Sequence, residues 1–200
     1  MKTSKIAVII AFSALTIVLN IVIVPSLYWP GFNYRIYEIV MVVAFLLFGF
    51  KVGVAVAALN VLGQMLLFPV PGGIVAYPFG MIAVLVMMAG VYFANYLFQN
   101  RFSKGSISSA RMILYLTILG VAARAIIMPF LDYGVLYHVL LPVALNVTIP
   151  ETYTMSLLPG MFVFNLTIPI YTIPISYIIA KKVNNSFKME NNNGVQNFGL

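Results

Sequence analysis

Residues 33–50 read "NYRIYEIVMVVAFLLFGF", which places an arginine and a glutamate directly before twelve uncharged residues. After a tight turn at Lys51, the chain continues with the equally apolar "VGVAVAALNVLGQMLLF" of residues 52–68. Two such runs on either side of a turn predict antiparallel membrane helices, because a helix needs roughly 20 apolar residues to cross a bilayer. Arg35 and Glu38 lie one helical turn apart at the edge of the first run. We interpret them as an ion pair that orders the top of this helix.

The composition of the whole chain supports a membrane location. Hydrophobic residues make up 62% of the sequence and charged residues only 8%, whereas soluble domains carry roughly 25% charged residues. The mean hydropathy is +1.04. The net charge of +7 results from a scarcity of acids rather than from clustered bases, so it does not indicate nucleic acid as a partner. The sequence therefore predicts an all-α integral protein of the cell membrane.

Hydropathy and helix-breaking residues predict six membrane spans. They run approximately over Ile6–Val24, Tyr37–Phe50, Val52–Phe68, Ala76–Phe98, Ala110–Met128 and Leu158–Ala180. The first span is longer than the roughly 7–15 residues of a signal-peptide core, which favours a membrane helix. Residues 129–157 are interrupted by proline, glycine and charge, and they predict a long loop with a short helix or a re-entrant segment. Residues 1–183 thus form a six-helix membrane domain, and the polar residues 184–200 are expected to be a disordered cytoplasmic tail.

Charged residues predict the orientation of these spans. With six spans, nine of the eleven lysines and arginines fall on the side that holds both termini. The positive-inside rule makes this side cytoplasmic. The opposite side holds the other two arginines, Arg35 and Arg124, and three of the four acids, namely Glu38, Asp132 and Glu151. The unusual polar groups therefore face outward.

The outward side also collects amides and aromatic rings. Asn60 and Gln64 share one face of the third span because they are four residues apart. The first outer loop holds the chain's single tryptophan, Trp29, among several tyrosines and phenylalanines. One interpretation is an aromatic belt at the membrane interface with snorkelling arginines. We favour the other, a binding site, since the cytoplasmic edge carries fewer aromatic residues.

The sequence lacks the patterns of most enzymes. It has no nucleophile elbow, no zinc-protease motif, no paired intramembrane aspartates and no ATP-binding loop. A single histidine and no cysteine make a metal site or a cofactor improbable. We expect a protein that is not an enzyme and that draws energy from an ion gradient or from a partner. Aromatic faces, amides and guanidinium groups suit a small, planar, polar organic ligand.

The first span carries small residues at helical spacing. Ala7, Ala11 and Ala14 lie at i, i+4 and i+7, on one face of the helix. Small residues allow another membrane helix to approach closely. The neighbour is either a partner protein or another helix of this chain.

Three stretches together carry a family resemblance. They are "KIAVIIAFSALTIVL" at residues 5–19, "YEIVMVVAFLLFGFKVGVAVAALNVLGQML" at 37–66 and "PGGIVAYPFGMIA" at 71–83. Their order and spacing resemble the substrate-binding (S) components of energy-coupling factor (ECF) transporters, which have six helices and cytoplasmic termini. The resemblance implies a high-affinity subunit that binds a vitamin or similar micronutrient and topples in the membrane to release it inward. Its partners would be a transmembrane component and two ATPase subunits.

The resemblance also implies roles for particular residues. Ala7 and Ala11 match the family's small-residue motif and would dock on the transmembrane component, while Trp29 would belong to the lid between the first two helices. The remaining expected substrate-binding residues are Tyr77, Arg124, Asp132, Tyr133 and Asn165.

The richness in aromatic residues favours a flat heteroaromatic substrate such as riboflavin over a dicarboxylate such as folate. The alternative function is a small oligomeric secondary transporter or channel subunit. In that case the alanine contacts would join copies of the chain, and transport would need no ATPase.

Overall fold

The computed structural model describes residues 3–26, 33–101 and 109–187, and most of them are helical. The elements in chain order are α1 (Thr3–Leu19), β1 (Ile23–Pro25), β2 (Asn33–Arg35), α2 (Tyr37–Phe48), α3 (Phe50–Leu67), α4 (Gly73–Arg101), α5 (Ser109–Leu131), a π-helix (Asp132–Leu140), α6 (Leu141–Leu145) and α7 (Glu151–Phe187). The helical membrane architecture that the sequence predicts is confirmed. The expected role of Trp29 concerns a position outside the described residues. Of the tail expected at residues 184–200, residues 184–187 continue α7, and the remainder lies outside the described residues.

The sequence did not predict the two-stranded ribbon. Helix α1 ends at Leu19, and residues 23–25 then pair in antiparallel register with residues 33–35, so that Val24 lies opposite Tyr34. The prediction of a first helix reaching Val24 was therefore wrong at its end. The β-branched residues before Pro25 favour extended backbone, and a proline is tolerated on a strand that has a free edge.

Helix α2 lies at the centre of the fold. All but two of its residues are buried, and it packs against α1, α3 and α7. A helix that is apolar on every face is expected to be enclosed by other helices. The turn that joins α2 to α3 depends on Gly49, whose φ of 89° is in a region that favours glycine.

Four helical segments of the described residues are long and apolar enough to cross a membrane. They are Phe50–Leu67, Gly73–Phe98, Ser109–Leu145 and Glu151–Ser186. Helices α1 and α2 are also apolar but shorter. The segments support a protein that crosses the membrane several times. The count of six spans and the cytoplasmic position of the termini stay predictions.

Residues 129–157 do not form the long loop that the sequence predicts. Pro129 lies inside α5, and the chain continues without a break through the π-helix into α6, which ends at the left-handed residue Asn146. Only residues 146–150 separate α6 from α7. Prolines are tolerated within membrane helices because neighbouring groups satisfy the freed carbonyls. The π-helix has more residues per turn than an α-helix, and it begins at Asp132.

Candidate functional site

A cavity of about 290 Å³ opens at the end of the bundle where α2 and α4 begin and α3 and α5 end. Strand β2, the π-helix and α7 complete its wall. The lining residues are Asn33, Arg35, Tyr37, Glu38, Gln64, Val70, Ala76, Tyr77, Phe79, Gly80, Ala83, Arg124, Met128, Asp132, Leu136, Tyr137, Met161, Phe164 and Asn165. The cavity thus brings together six of the residues that the sequence assigned to the site and its ion pair, and each comes from a different element. They are Arg35, Glu38, Tyr77, Arg124, Asp132 and Asn165.

A buried ion pair lies in the wall of the cavity. The Arg124 guanidinium donates from Nη1 to Glu38 Oε2 at 2.5 Å and from Nη2 to Glu38 Oε1 at 3.3 Å. The two side chains are only 3% and 7% exposed. The predicted pair of Arg35 with Glu38 was therefore wrong, because the neighbouring helix α5 presents a guanidinium that chelates both carboxylate oxygens. Arg35 instead lies 6.0 Å from the ring of Tyr37.

Asn165 extends this pair into a chain of four buried polar groups. Its Oδ1 accepts from Arg124 Nε at 3.2 Å, and its Nδ2 donates to Asp132 Oδ2 and to the Met161 carbonyl, both at 3.0 Å. A guanidinium only donates, so the amide oxygen must face Arg124 and the amide nitrogen must face Asp132. The sequence predicted Asn165 near the middle of a span, and the structure shows that its amide links α5 to the π-helix.

Aromatic rings form much of the remaining wall. Tyr77 is buried, and its hydroxyl donates to the Phe68 carbonyl, which leaves the ring as a flat face of the cavity. Phe79 and Tyr137 line the same space. Rings of this kind bury apolar ligand surface and stack on planar groups.

Tyr133 lies outside this cavity. Its hydroxyl donates to Glu151 at 3.4 Å, and its ring lies 4.5 Å from the ring of His138. The helical winding explains the difference, since consecutive residues point in different directions and Asp132 takes the inward position. Tyr137, five residues after Asp132, lines the cavity instead. This spacing matches one turn of a π-helix, whereas the sequence predicted a long loop with a short helix or a re-entrant segment here.

The ribbon closes one side of the cavity. Asn33 and Arg35 line it from β2, while Tyr34 between them points to α7. The Tyr34 hydroxyl lies 2.9 Å from Thr167 Oγ1, and its ring lies 5.2 Å from the ring of Phe164. This alternation along a short strand separates the residues that face the cavity from the residue that fixes the ribbon to the bundle.

Sequence reasoning left Asn33, Gln64 and Tyr137 out of the expected site. Gln64 had a signal, because it shares a helical face with Asn60. Asn60 itself lies deeper, where its Oδ1 accepts from Asn20 Nδ2 at 2.7 Å. This hydrogen bond joins α3 to the turn that follows α1, and Asn60 is not among the residues that line the cavity. Asn33 had no signal in the sequence, since its position depends on the ribbon.

The alanines of α1 lie away from the cavity and are exposed. Ala7, Ala11 and Ala14 all face outward, whereas Ile9, Ser13 and Thr16 face the bundle. Packing of these alanines against another described helix of the same chain therefore does not occur. Among residues 3–26, 33–101 and 109–187, no group of three histidine, cysteine or acidic side chains lies close enough to hold a metal ion.

Neither a protein-family model nor a curated protein matches the sequence. Among solved structures, the chain is similar to the S component of a bacterial ECF transporter. The TM-score is 0.66 at 19% sequence identity, and the match covers 94% of this chain and 99% of the other. This chain has the fold of an ECF transporter S component. The resemblance drawn from the three sequence stretches is thereby confirmed for the fold.

Proposed function

We propose that this protein is the membrane-embedded, substrate-binding subunit of an ATP-driven uptake system for a vitamin-sized solute. The observation that carries the proposal is the chain Glu38–Arg124–Asn165–Asp132 in the wall of the cavity. Burying charged groups is costly unless they are paired and hydrogen-bonded. Stability alone gives little reason to place them there, whereas polar groups converging on a largely apolar cavity are typical of ligand sites.

The size of the cavity suits a small solute. Its volume of about 290 Å³ is near the lower end of the roughly 300–1,000 Å³ of small-molecule pockets. The aromatic faces of Tyr77, Phe79 and Phe164 favour a flat heteroaromatic compound, and riboflavin is the first candidate on this ground. Like the structural relative, the protein would act as a binding subunit rather than as an enzyme.

The distribution of charge supports uptake from the outer side. Lys5 and Lys51 lie at the start of α1 and α3, and Lys181 and Lys182 lie near the end of α7. These ends are opposite to the end that holds the cavity. If the positive-inside rule orients the protein, both termini are cytoplasmic and the cavity opens outward.

The exposed alanine face of α1 supports a docked partner. Side chains as small as those of Ala7 and Ala11 let a partner helix approach the α1 backbone closely, which apolar bulk would prevent. An ECF transmembrane component with its ATPase subunits is the partner that we propose for this face. The sequence carries no ATP-binding loop, so ATP-driven uptake would require such a module.

Native mass spectrometry of the detergent-purified protein tests the binding function directly. A nanomolar ligand corresponds to about −12 kcal/mol, which is tight enough to survive purification. We expect one bound molecule of vitamin size per chain, with an absorbance spectrum if it is heteroaromatic. A protein that purifies empty, and whose ligand is not restored by incubation with cell extract, would contradict the proposal.

A second experiment separates the proposal from a secondary transporter or channel. Replacing Ala7 and Ala11 by tryptophan should abolish uptake in cells while ligand binding to the purified protein is retained. Uptake should also stop on depletion of ATP and persist when the membrane gradient collapses. Uptake that follows the gradient, or a double variant that transports normally, would favour the oligomeric carrier instead. The control is Leu114→Trp, at an exposed position of α5 away from the alanine face, and it should leave uptake unchanged.

A further inference from the structure

Some of the charged side chains around the cavity are paired within the protein, whereas others can still interact with a ligand. Four ionisable side chains that carry a formal charge at neutral pH line it, namely Arg35, Arg124, Glu38 and Asp132. Arg124 and Glu38 neutralise each other, and each nitrogen of the guanidinium already donates to a protein acceptor. Three of the five N–H donors of Arg124 are held by Glu38 and Asn165, and the charge of Glu38 opposes an anion that approaches the remaining donors. Arg124 is therefore a poor anion site. Arg35 is a second cation, on the ribbon side of the cavity, so the exclusion of anionic groups applies to the edge of a ligand that meets Asp132.

Asp132 differs from the other carboxylate. Its Oδ2 accepts from Asn165, but its second oxygen has no hydrogen-bond partner among the described residues. The side chain lines the cavity, and the residue is 9% exposed. An ionised carboxylate offers several acceptor positions and no donor, so Asp132 presents a free acceptor to the space that a ligand would fill.

The orientation of Asn165 prevents Asp132 from being satisfied from within. The amide nitrogen of Asn165 is shared between Asp132 and the Met161 carbonyl, and its oxygen is held by Arg124. If the amide were flipped, its NH₂ group would face the guanidinium of Arg124, and two donors would then lie against each other. The donor for the second oxygen of Asp132 must therefore come from water or from the ligand.

Resting on the proposed function, we infer that the solute is a flat heteroaromatic compound whose buried edge carries N–H donors and no anionic group. Asp132 accepts those donors, and the chain Glu38–Arg124–Asn165 holds its carboxylate in place. Hydrogen bonds to a charged group are stronger than those between neutral groups. A carboxylate or phosphate on the same edge of the solute would face Asp132 as a like charge, which is unfavourable at close range.

Isothermal titration calorimetry on the detergent-solubilised protein tests this class with four probes. Riboflavin, thiamine and nicotinamide each carry N–H donors on at least one flat heteroaromatic ring and have no anionic group. Nicotinate has the same ring as nicotinamide but a carboxylate in place of the amide. We expect at least one of the three donor probes to bind, and nicotinate to bind at least tenfold more weakly than the tightest of them.

The variant Asp132→Asn then tests the residue. The single amide oxygen of an asparagine at this position would be held by Asn165, so its NH₂ group would face the cavity and oppose the donors of the probe. We expect the probe that binds to lose about 10- to 100-fold in affinity, the range for a lost hydrogen bond to a charged group. The control Tyr133→Phe, on the adjacent residue outside the cavity, should bind that probe as the unchanged protein does.

The outcomes separate the inference from the proposed function. Tight binding of nicotinate, or unchanged affinity in Asp132→Asn, would overturn the inference while a binding subunit remained in place. If no probe binds, the inferred ligand class is tested by the molecule that co-purifies with the protein. A heteroaromatic compound that bears N–H donors and no anionic group supports the inference, and any other compound overturns it. An empty protein that binds no probe contradicts both. The comparison of nicotinamide with nicotinate needs no variant, so it stands even if Asp132→Asn does not fold.

Discussion

The ion pair between Glu38 and Arg124 makes a strong prediction about stability. Replacing Glu38 by glutamine keeps the shape of the side chain but removes its charge, and it leaves one carbonyl oxygen to accept from the guanidinium. Arg124 is 3% exposed, so its charge cannot be solvated in place. Breaking a buried pair by removing one partner costs about 3–5 kcal/mol. We expect Glu38→Gln to lower the free energy of unfolding by about 3 kcal/mol, the lower end of this range, since Asn165 still accepts from Arg124.

A double-mutant cycle isolates the interaction. In Glu38→Gln/Arg124→Gln the uncompensated charge is absent, and neutral replacements of a buried pair are far less costly than a broken pair. The double variant should therefore be more stable than the sum of the two single changes predicts, by about 1.5 kcal/mol or more, within the usual range for side chains in contact. The effects that each substitution has on its own cancel in the cycle, so the coupling measures the interaction between the two side chains.

Unfolding in mixed detergent micelles, followed by circular dichroism, supplies the four free energies. The matched control is Arg35→Gln, which removes the cation that the sequence assigned to Glu38. It should cost only about 0.5–1 kcal/mol, the value of an exposed cation–aromatic contact. Additive effects, or a single-variant cost below about 1 kcal/mol as for exposed pairs, would refute the reasoning. A larger loss from Arg35→Gln than from Arg124→Gln would restore the sequence-based pairing.

Two further predictions concern the ribbon and the helix packing. Tyr34→Phe removes the hydroxyl that lies 2.9 Å from Thr167 Oγ1 but keeps the ring. The loss of this hydrogen bond, about 1 kcal/mol, should speed ligand dissociation roughly fivefold. An unchanged dissociation rate in stopped-flow measurements would show that the ribbon does not retain the ligand. In Gly90→Ala a new Cβ would lie 2.6 Å from the Leu119 carbonyl oxygen, and this overpacking should destabilise the protein by about 1–3 kcal/mol. The control is Gly80→Ala, whose new Cβ would meet nothing within 4 Å. It should leave the melting temperature equal to that of the unchanged protein or raise it. Equal melting temperatures of the two alanine variants would contradict the close packing of α4 on α5.

Local sequence was sufficient to predict most of the helices, but it did not predict the ribbon or the helical path through Pro129. The tight turn "GFKVG" at residues 49–53 between two apolar runs predicted the α2–α3 pair closely, because apolar length and a glycine turn act over neighbouring residues. The structure turns at Gly49 and places Lys51 inside α3. The ribbon was missed, since strand 23–25 exists only by pairing with strand 33–35. The helical path through Pro129 was also missed. A proline indicates a helix end in water, but the packed bundle allows the winding to continue.

The site shows the same division. The sequence determined that a few charged and polar residues lie near one end of an apolar bundle, because composition and charge asymmetry are properties of the chain itself. Only the tertiary structure decided that Glu38 pairs with Arg124 across 86 positions rather than with Arg35 three positions away. Proximity along a chain does not fix the direction of a side chain. Helix α7 packs against both α2 and α5. This packing brings Arg124 and Asn165 to Glu38, and burial then makes that pairing the stable one.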